Sequence, residues 1–87
     1  MKYAAIIEYI TDQDKVQSIR PTHREYLGTL KGQGKLAASG PFTDGSGALI
    51  IYEADSADEA EQLLRSDPFH QGGVFASWRI RPWNQVM

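Results

Sequence analysis

Hydrophobic and polar positions along the chain fall into short segments of period two, interrupted by two stretches with a helical period. Residues 2–10, KYAAIIEYI, place Tyr3, Ala5, Ile7 and Tyr9 on one face of an extended chain and Ala4, Ile6, Glu8 and Ile10 on the other. The run is too short for a stable helix and rich in Tyr and Ile, so a strand is predicted. Both its faces are mostly apolar, which asks for a cover on each side. In RPTHREYLGTLKGQGKL, residues 20–36, the positions His23, Tyr26, Leu27 and Leu30 follow i, i+3, i+4, i+7 and predict a helix. Pro21 suits its first turn, Gly32 and Gly34 its end, and His23 then opens the stripe that faces the sheet.

Two further apolar runs, KLAASGPF (35–42) and ALIIYEA (48–54), flank the turn sequence TDGSG, the pattern of a hairpin. Pro41 cannot donate to a ladder, so the second strand is an edge strand or ends near Ser39. SADE at 56–59 reads as a capping box in which Ser56 accepts from the Glu59 N–H while Glu59 reaches back. The helix that follows buries Ala60, Leu63 and Leu64. Pro68 closes it at Asp67, HQGG forms a turn, and VFASWRIRPW (74–83) is a last strand whose alternation Pro82 breaks.

The predicted order is βαββαβ, an α+β class fold of the ferredoxin-like kind with a four-stranded antiparallel sheet in the order 4-1-3-2. With helices on one face only, the apolar second face calls for a sheet-to-sheet homodimer. On that face Glu8 and Glu53 are expected to pair with Arg79 and Arg81. With 87 residues, residues 1–87 make one small domain with no room for a second core.

Composition narrows the function. The net charge is −2, and Lys and Arg are scattered, so the basic stripe of a nucleic-acid binder is missing; the third strand also lacks the aromatic signature of an RNA-recognition sheet. No run is long enough for a membrane span, and the first residues lack a signal-peptide cleavage pattern, which points to the cytoplasm. There is no cysteine, hence no disulfide framework, thiolate nucleophile or cysteine zinc site.

The groups left for chemistry are few. His23, at the start of its helix, reads either as a half-buried histidine bonded to a backbone carbonyl or as a proton-transfer group. Asp67 reads either as a helix cap, DPFH being a good helix-start signal, or as a partner for that histidine. His70 reads as a solvated loop residue. His23, Asp67 and His70 have no metal-ligand spacing, so no metal site is expected. GQG at 32–34 follows a helix and not a strand, which weakens a phosphate-loop reading. Ser39 lacks a nucleophile elbow and fits better as a hydroxyl that orients a ligand. Arg20 and Arg24 flank His23 either as holders of an anionic group or as a solvated edge.

Taken together, RPTHREYL, GKLAASGPFTDGSGALIIYEADS, EAEQLLRSDPF and GVFASWRIRPW, in this order and spacing, resemble the YciI-like (YCII-related domain) family over nearly the whole chain. The resemblance implies a dimeric α+β barrel with an active site built on a His-Asp pair, matched here by His23 and Asp67. It also offers a precedent in a member that eliminates chloride from a chlorinated hydroxyquinol. The implied activity is cofactor-independent lyase or hydrolase chemistry on a small organic substrate, with Arg20, Ser39, Phe69 and Trp83 shaping the pocket. The alternative is a ligand-binding or interaction module on the same scaffold that breaks no bond.

Overall fold

In a computed structural model describing residues 1–87, the elements run β1 (Lys2–Tyr9), α1 (Gln13–Gly32), β2 (Leu36–Pro41), β3 (Gly47–Glu53), α2 (Ala57–Arg65), α3 (Pro68–Gln71) and β4 (Phe75–Trp83). They form one antiparallel sheet in the order β2-β3-β1-β4, the ferredoxin-like topology expected from the pattern. Both prolines of the sheet, Pro41 and Pro82, sit on its edge strands, where a missing N–H costs no ladder bond. Pro82 accordingly does not end β4: the ladder continues through Tyr3↔Pro82 to Lys2↔Trp83.

The helix-facing side of the sheet carries the core. Tyr3, Ala5 and Ile7 of β1 and Ala48, Ile50 and Tyr52 of β3 are buried there, against Val16, Leu27 and Leu30 of α1, Ala60 and Leu64 of α2, and Phe69 of α3. A fully buried side chain such as Ile50 or Leu64 contributes on the order of 1.5–3 kcal/mol. Gly47 lets β1 and β3 close at their ends, because a Cβ there would stand 1.8 Å from the Ile7 carbonyl oxygen. A register shift between Glu8 and Tyr9 buries Phe75 next to Val74 and leaves Ala76 exposed, so the strict alternation expected for β4 holds only from Ser77 onward.

The first helix is longer than its sequence suggested. It begins at Gln13, capped by Asp12, whose carboxylate accepts from the Lys15 N–H at 3.2 Å. The polar lead-in is therefore helical, and Val16 and Ile19 extend the apolar stripe by two turns. Pro21 lies inside the helix, not in its first turn. It removes one backbone bond in a helix long enough to hold its course by packing. His23 is thus mid-helix, beyond the reach of the N-terminal dipole.

Two other local expectations are corrected. Glu53 pairs with Lys2 at 2.6 Å, its direct neighbour in the register Lys2↔Glu53. Arg79 and Arg81 stand opposite Ile6 and Ala4, and neither makes an ion pair with Glu8 or Glu53. In α2 the Ser56 hydroxyl accepts from the Glu59 N–H at 3.1 Å as expected, but Glu59 reaches the N–H of Asp55, at 3.4 Å. On the face away from the helices Ile6 is 44% and Leu49 38% exposed, directly opposite one another in the ladder.

Candidate active site

Asp67 does two things with one atom. After α2 ends at Arg65, the chain turns and Asp67 caps the short α3, with Pro68 in its first turn; Asp67 Oδ1 accepts from the Phe69 N–H at 2.8 Å. The reading of DPFH as a helix start is correct, and HQGG, expected as a turn, begins inside that helix. The same Oδ1 lies 2.7 Å from His23 Nδ1 and Oδ2 lies 2.9 Å from it. An ionised carboxylate only accepts, so Nδ1–H is the donor and the imidazole is held with Nε2 turned away from Asp67.

Both partners are sheltered from water, His23 at 6% exposure and Asp67 at 0%. The imidazole lies flat on Phe69, with ring centroids 3.9 Å apart and planes 12° from parallel, and Phe75 meets it edge-on at 6.5 Å. Phe69 is itself fully buried. The ring therefore has a floor of phenyl, a hydrogen-bonded Nδ1 and one narrow exposed margin. Gly73, at φ 76°, takes a left-handed conformation open to glycine at little cost and turns the chain from α3 into β4, where Val74 N–H bonds the Phe69 carbonyl at 2.8 Å.

Three tyrosines feel the charge of Asp67. Burial pushes the Tyr52 hydroxyl far above the ordinary tyrosine value, and the negative charge of Asp67 adds to that effect. Burial also raises Tyr26, again with a contribution from Asp67, while a hydrogen bond with Ser66 works against it. Tyr26 donates to the Leu63 carbonyl at 2.6 Å, whereas the buried Tyr52 hydroxyl has no hydrogen-bond partner. Tyr9, half-buried at the end of β1, is raised chiefly by burial; Arg20 and Arg24 lower it and Asp67 raises it. In the sequence pattern each of these tyrosines is only an apolar position of its strand or helix. The alternation of β1 put Tyr9 on the helix-facing side, and this was the one signal that pointed to it.

The other sequence candidates are placed unevenly. Phe69 is the platform under His23. Arg20 is half-buried one turn before it on α1. Ser39 pairs with Ile50 and so shares the helix-facing side, on the exposed edge strand β2. Trp83 lies at the opposite end of β1 from Tyr9, paired with Lys2, and lines a surface hollow with Met1, Lys2, Pro82, Asn84 and Gln85, away from His23. His70 is not a free loop residue: it is half-buried in α3 with its ring centroid 5.0 Å from that of Trp78 in a T-shaped contact, and the Trp78 face is covered by Arg65 at 5.6 Å. No three His, Asp or Glu side chains converge on one point, and no helix is long and apolar enough to cross a membrane.

Comparison with known proteins agrees with this fold. The family model described as YCII-related domain matches residues 1–84. The chain is 32% identical over 63 residues to the uncharacterized protein YjpA of Bacillus subtilis, covering 68% of this chain and 74% of that one. It is 26% identical over 83 residues to protein YciI of Escherichia coli, covering 84% and 85%. Among solved structures, 5-chloro-2-hydroxyhydroquinone dehydrochlorinase (TftG) of Burkholderia phenoliruptrix AC1100, in complex with 2,5-dihydroxybenzoquinone, superposes with a TM-score of 0.82 at 28% identity, over 97% of this chain and 94% of that one.

Proposed function

The chain belongs to the YCII-related domain family, and from that premise we propose that it is a cofactor-independent enzyme in which His23 moves a proton on a small organic substrate and Asp67 orients it. The observation that carries this reading is the pair itself: Nδ1 is held at 2.7 Å by a carboxylate of 0% exposure, which leaves Nε2 as the atom that takes and returns a proton. Asp67 fixes the tautomer and steadies the imidazolium as it forms. A helix cap alone needs no histidine, and a core histidine alone needs no carboxylate buried beside it.

The dehydrochlorinase named above supplies the chemical precedent. Loss of HCl is redox-neutral: Nε2 accepts a proton, the electron pair left behind forms a new double bond, and chloride departs with the electrons of the C–Cl bond. Such a step needs a base, the role proposed for His23, and a leaving group, which the substrate carries. The protein is proposed to work as a homodimer joined through the open sheet face around Ile6 and Leu49. Arg20 and Phe69 are proposed to belong to the pocket; Ser39 and Trp83 require a ligand or the second subunit to reach it.

The test is chloride release and product absorbance with a panel of chlorinated and hydroxylated hydroquinones, for the native protein and His23→Ala. Turnover by the native protein, lost by about 10²-fold or more in the variant, is the expected outcome. Saturable binding with no product from any member of the panel would replace the enzyme reading with that of a ligand-binding module.

A further inference from the structure

We propose that Tyr9 and Arg20 form a recognition wall for an anionic oxygen carried on a small planar ring, set beside His23. The inference deepens the acid/base reading by naming the substrate class, and it rests on that reading for the location of the site.

Arg20 lies on the inward stripe of α1, with Val16 one turn before it and His23 and Leu27 after it. Those three are buried, whereas Arg20 is half-buried. Its nearest hydrogen-bond partner is the neutral side-chain oxygen of Gln17, at 3.4 Å, and no carboxylate lies within ion-pair distance of it. The guanidinium thus lies at the surface without a protein carboxylate, so an anion can reach it without displacing one. Its planar fork of N–H donors matches two oxygens of a carboxylate, or adjacent oxygens on a ring.

Tyr9 supplies the second half. Its ring meets Phe69 edge-on at 5.4 Å and runs parallel to Phe75 at 6.3 Å, and Phe69 is the ring on which His23 lies. Tyr9 and His23 thus share one aromatic platform, Tyr9 standing at its half-exposed margin. The charges of Arg20 and Arg24 both reach the Tyr9 phenol and oppose the effect of its burial, as expected where the helix side of this margin is electropositive. The phenol is an O–H donor there, and its ring is a flat apolar surface for a second ring. A planar anion seated on Tyr9, with its oxygens toward Arg20, is held beside the aromatic platform that carries the imidazole.

The test is binding, not turnover, so that it survives failure of the catalytic reading. Titration calorimetry at pH 7.5 compares three ring probes: 2,5-dihydroxybenzoquinone, whose acidic hydroxyls make it an anion; 2,5-dihydroxybenzoate, which carries a carboxylate; and neutral hydroquinone. The native protein is expected to bind at least one anion ten or more times tighter than hydroquinone, with a preference that shrinks as salt is added. Arg20→Met abolishes that preference, and Tyr9→Phe, which keeps the ring, lowers anion affinity a few-fold. The two anions distinguish a ring oxygen from a carboxylate as the group recognised. Equal or absent binding of all three probes, or an anion preference that survives in a folded Arg20→Met protein, overturns the proposal.

Discussion

His23 and Asp67, 44 residues apart, meet through an oxygen that also starts a helix: Asp67 Oδ1 accepts from the imidazole at 2.7 Å and from the Phe69 N–H at 2.8 Å. Fixing α3 therefore fixes the histidine. The backbone bond sets the carboxylate's rotamer, and Phe69, one residue past Pro68, becomes the floor on which the ring lies.

Asp67→Asn separates the cap from the charge. Asparagine caps helices about as well as aspartate, so the fold and α3 are expected to persist, with the amide oxygen kept on the Phe69 N–H. The amide NH2 then faces Nδ1, which must become an acceptor, and the ring proton moves to Nε2. Nitrogen-15 NMR of the imidazole should report that change of tautomer. Any turnover should drop by roughly 10³–10⁴-fold, the scale seen when an aspartate that orients a catalytic histidine becomes an amide. An unchanged tautomer would mean that Asp67 does not control the ring.

Tyr52 carries a buried hydroxyl without a partner, and Tyr52→Phe removes it with no loss of apolar volume. The change is expected to leave stability unaltered or raise it by about 1 kcal/mol, a rise of roughly 4–8 °C in Tm for a chain of this size. The pH dependence has a definite sign. Folding raises the tyrosine pKa from its ordinary value of 10.0, so the native state holds its proton where the unfolded chain releases it. This contribution is complete below pH 10 and is lost as pH climbs above it. Thermal melts between pH 9 and 12 should show an alkaline decline that is shallower in Tyr52→Phe. A drop of more than about 2 kcal/mol at neutral pH would show that the hydroxyl is satisfied after all.

Ile6→Glu tests the proposed subunit contact. Ile6 is 44% exposed on the open sheet face and sits opposite Arg79, so a glutamate has a cross-strand partner within its own sheet. The protomer is expected to keep its circular dichroism. Its self-association, followed by light scattering after size exclusion, should weaken by tenfold or more, because a charge then stands where an apolar face would close. A native protein that scatters as a monomer at all accessible concentrations would remove the contact from the proposal.

Much of the fold was legible because it depends on local chemistry. Period-two runs, turn pairs and the Ser56 cap named the strands, the hairpin and α2, and Pro41, read as an edge-strand residue, agreed with the strand order. The start of α1 was misread because Pro21 is a strong local signal for a first turn. The packing of Val16 and Ile19, with the Asp12 cap, outweighed it. The ion pairs expected of Glu8 and Glu53 failed for a related reason: a shared face does not specify which residues stand opposite, and the register gave Lys2 to Glu53.

The site divides in the same way. Residue type and position along the chain were enough to mark a histidine on an inward stripe and an aspartate before a proline, because helix period and capping act within a few residues. Their contact, the stacking of His23 on Phe69 and the edge-on packing of Tyr9 against that same ring depend on how α1 and α3 pack over one sheet. Those distances arise from side chains far apart in sequence competing for the same buried volume, and no local rule carries that information.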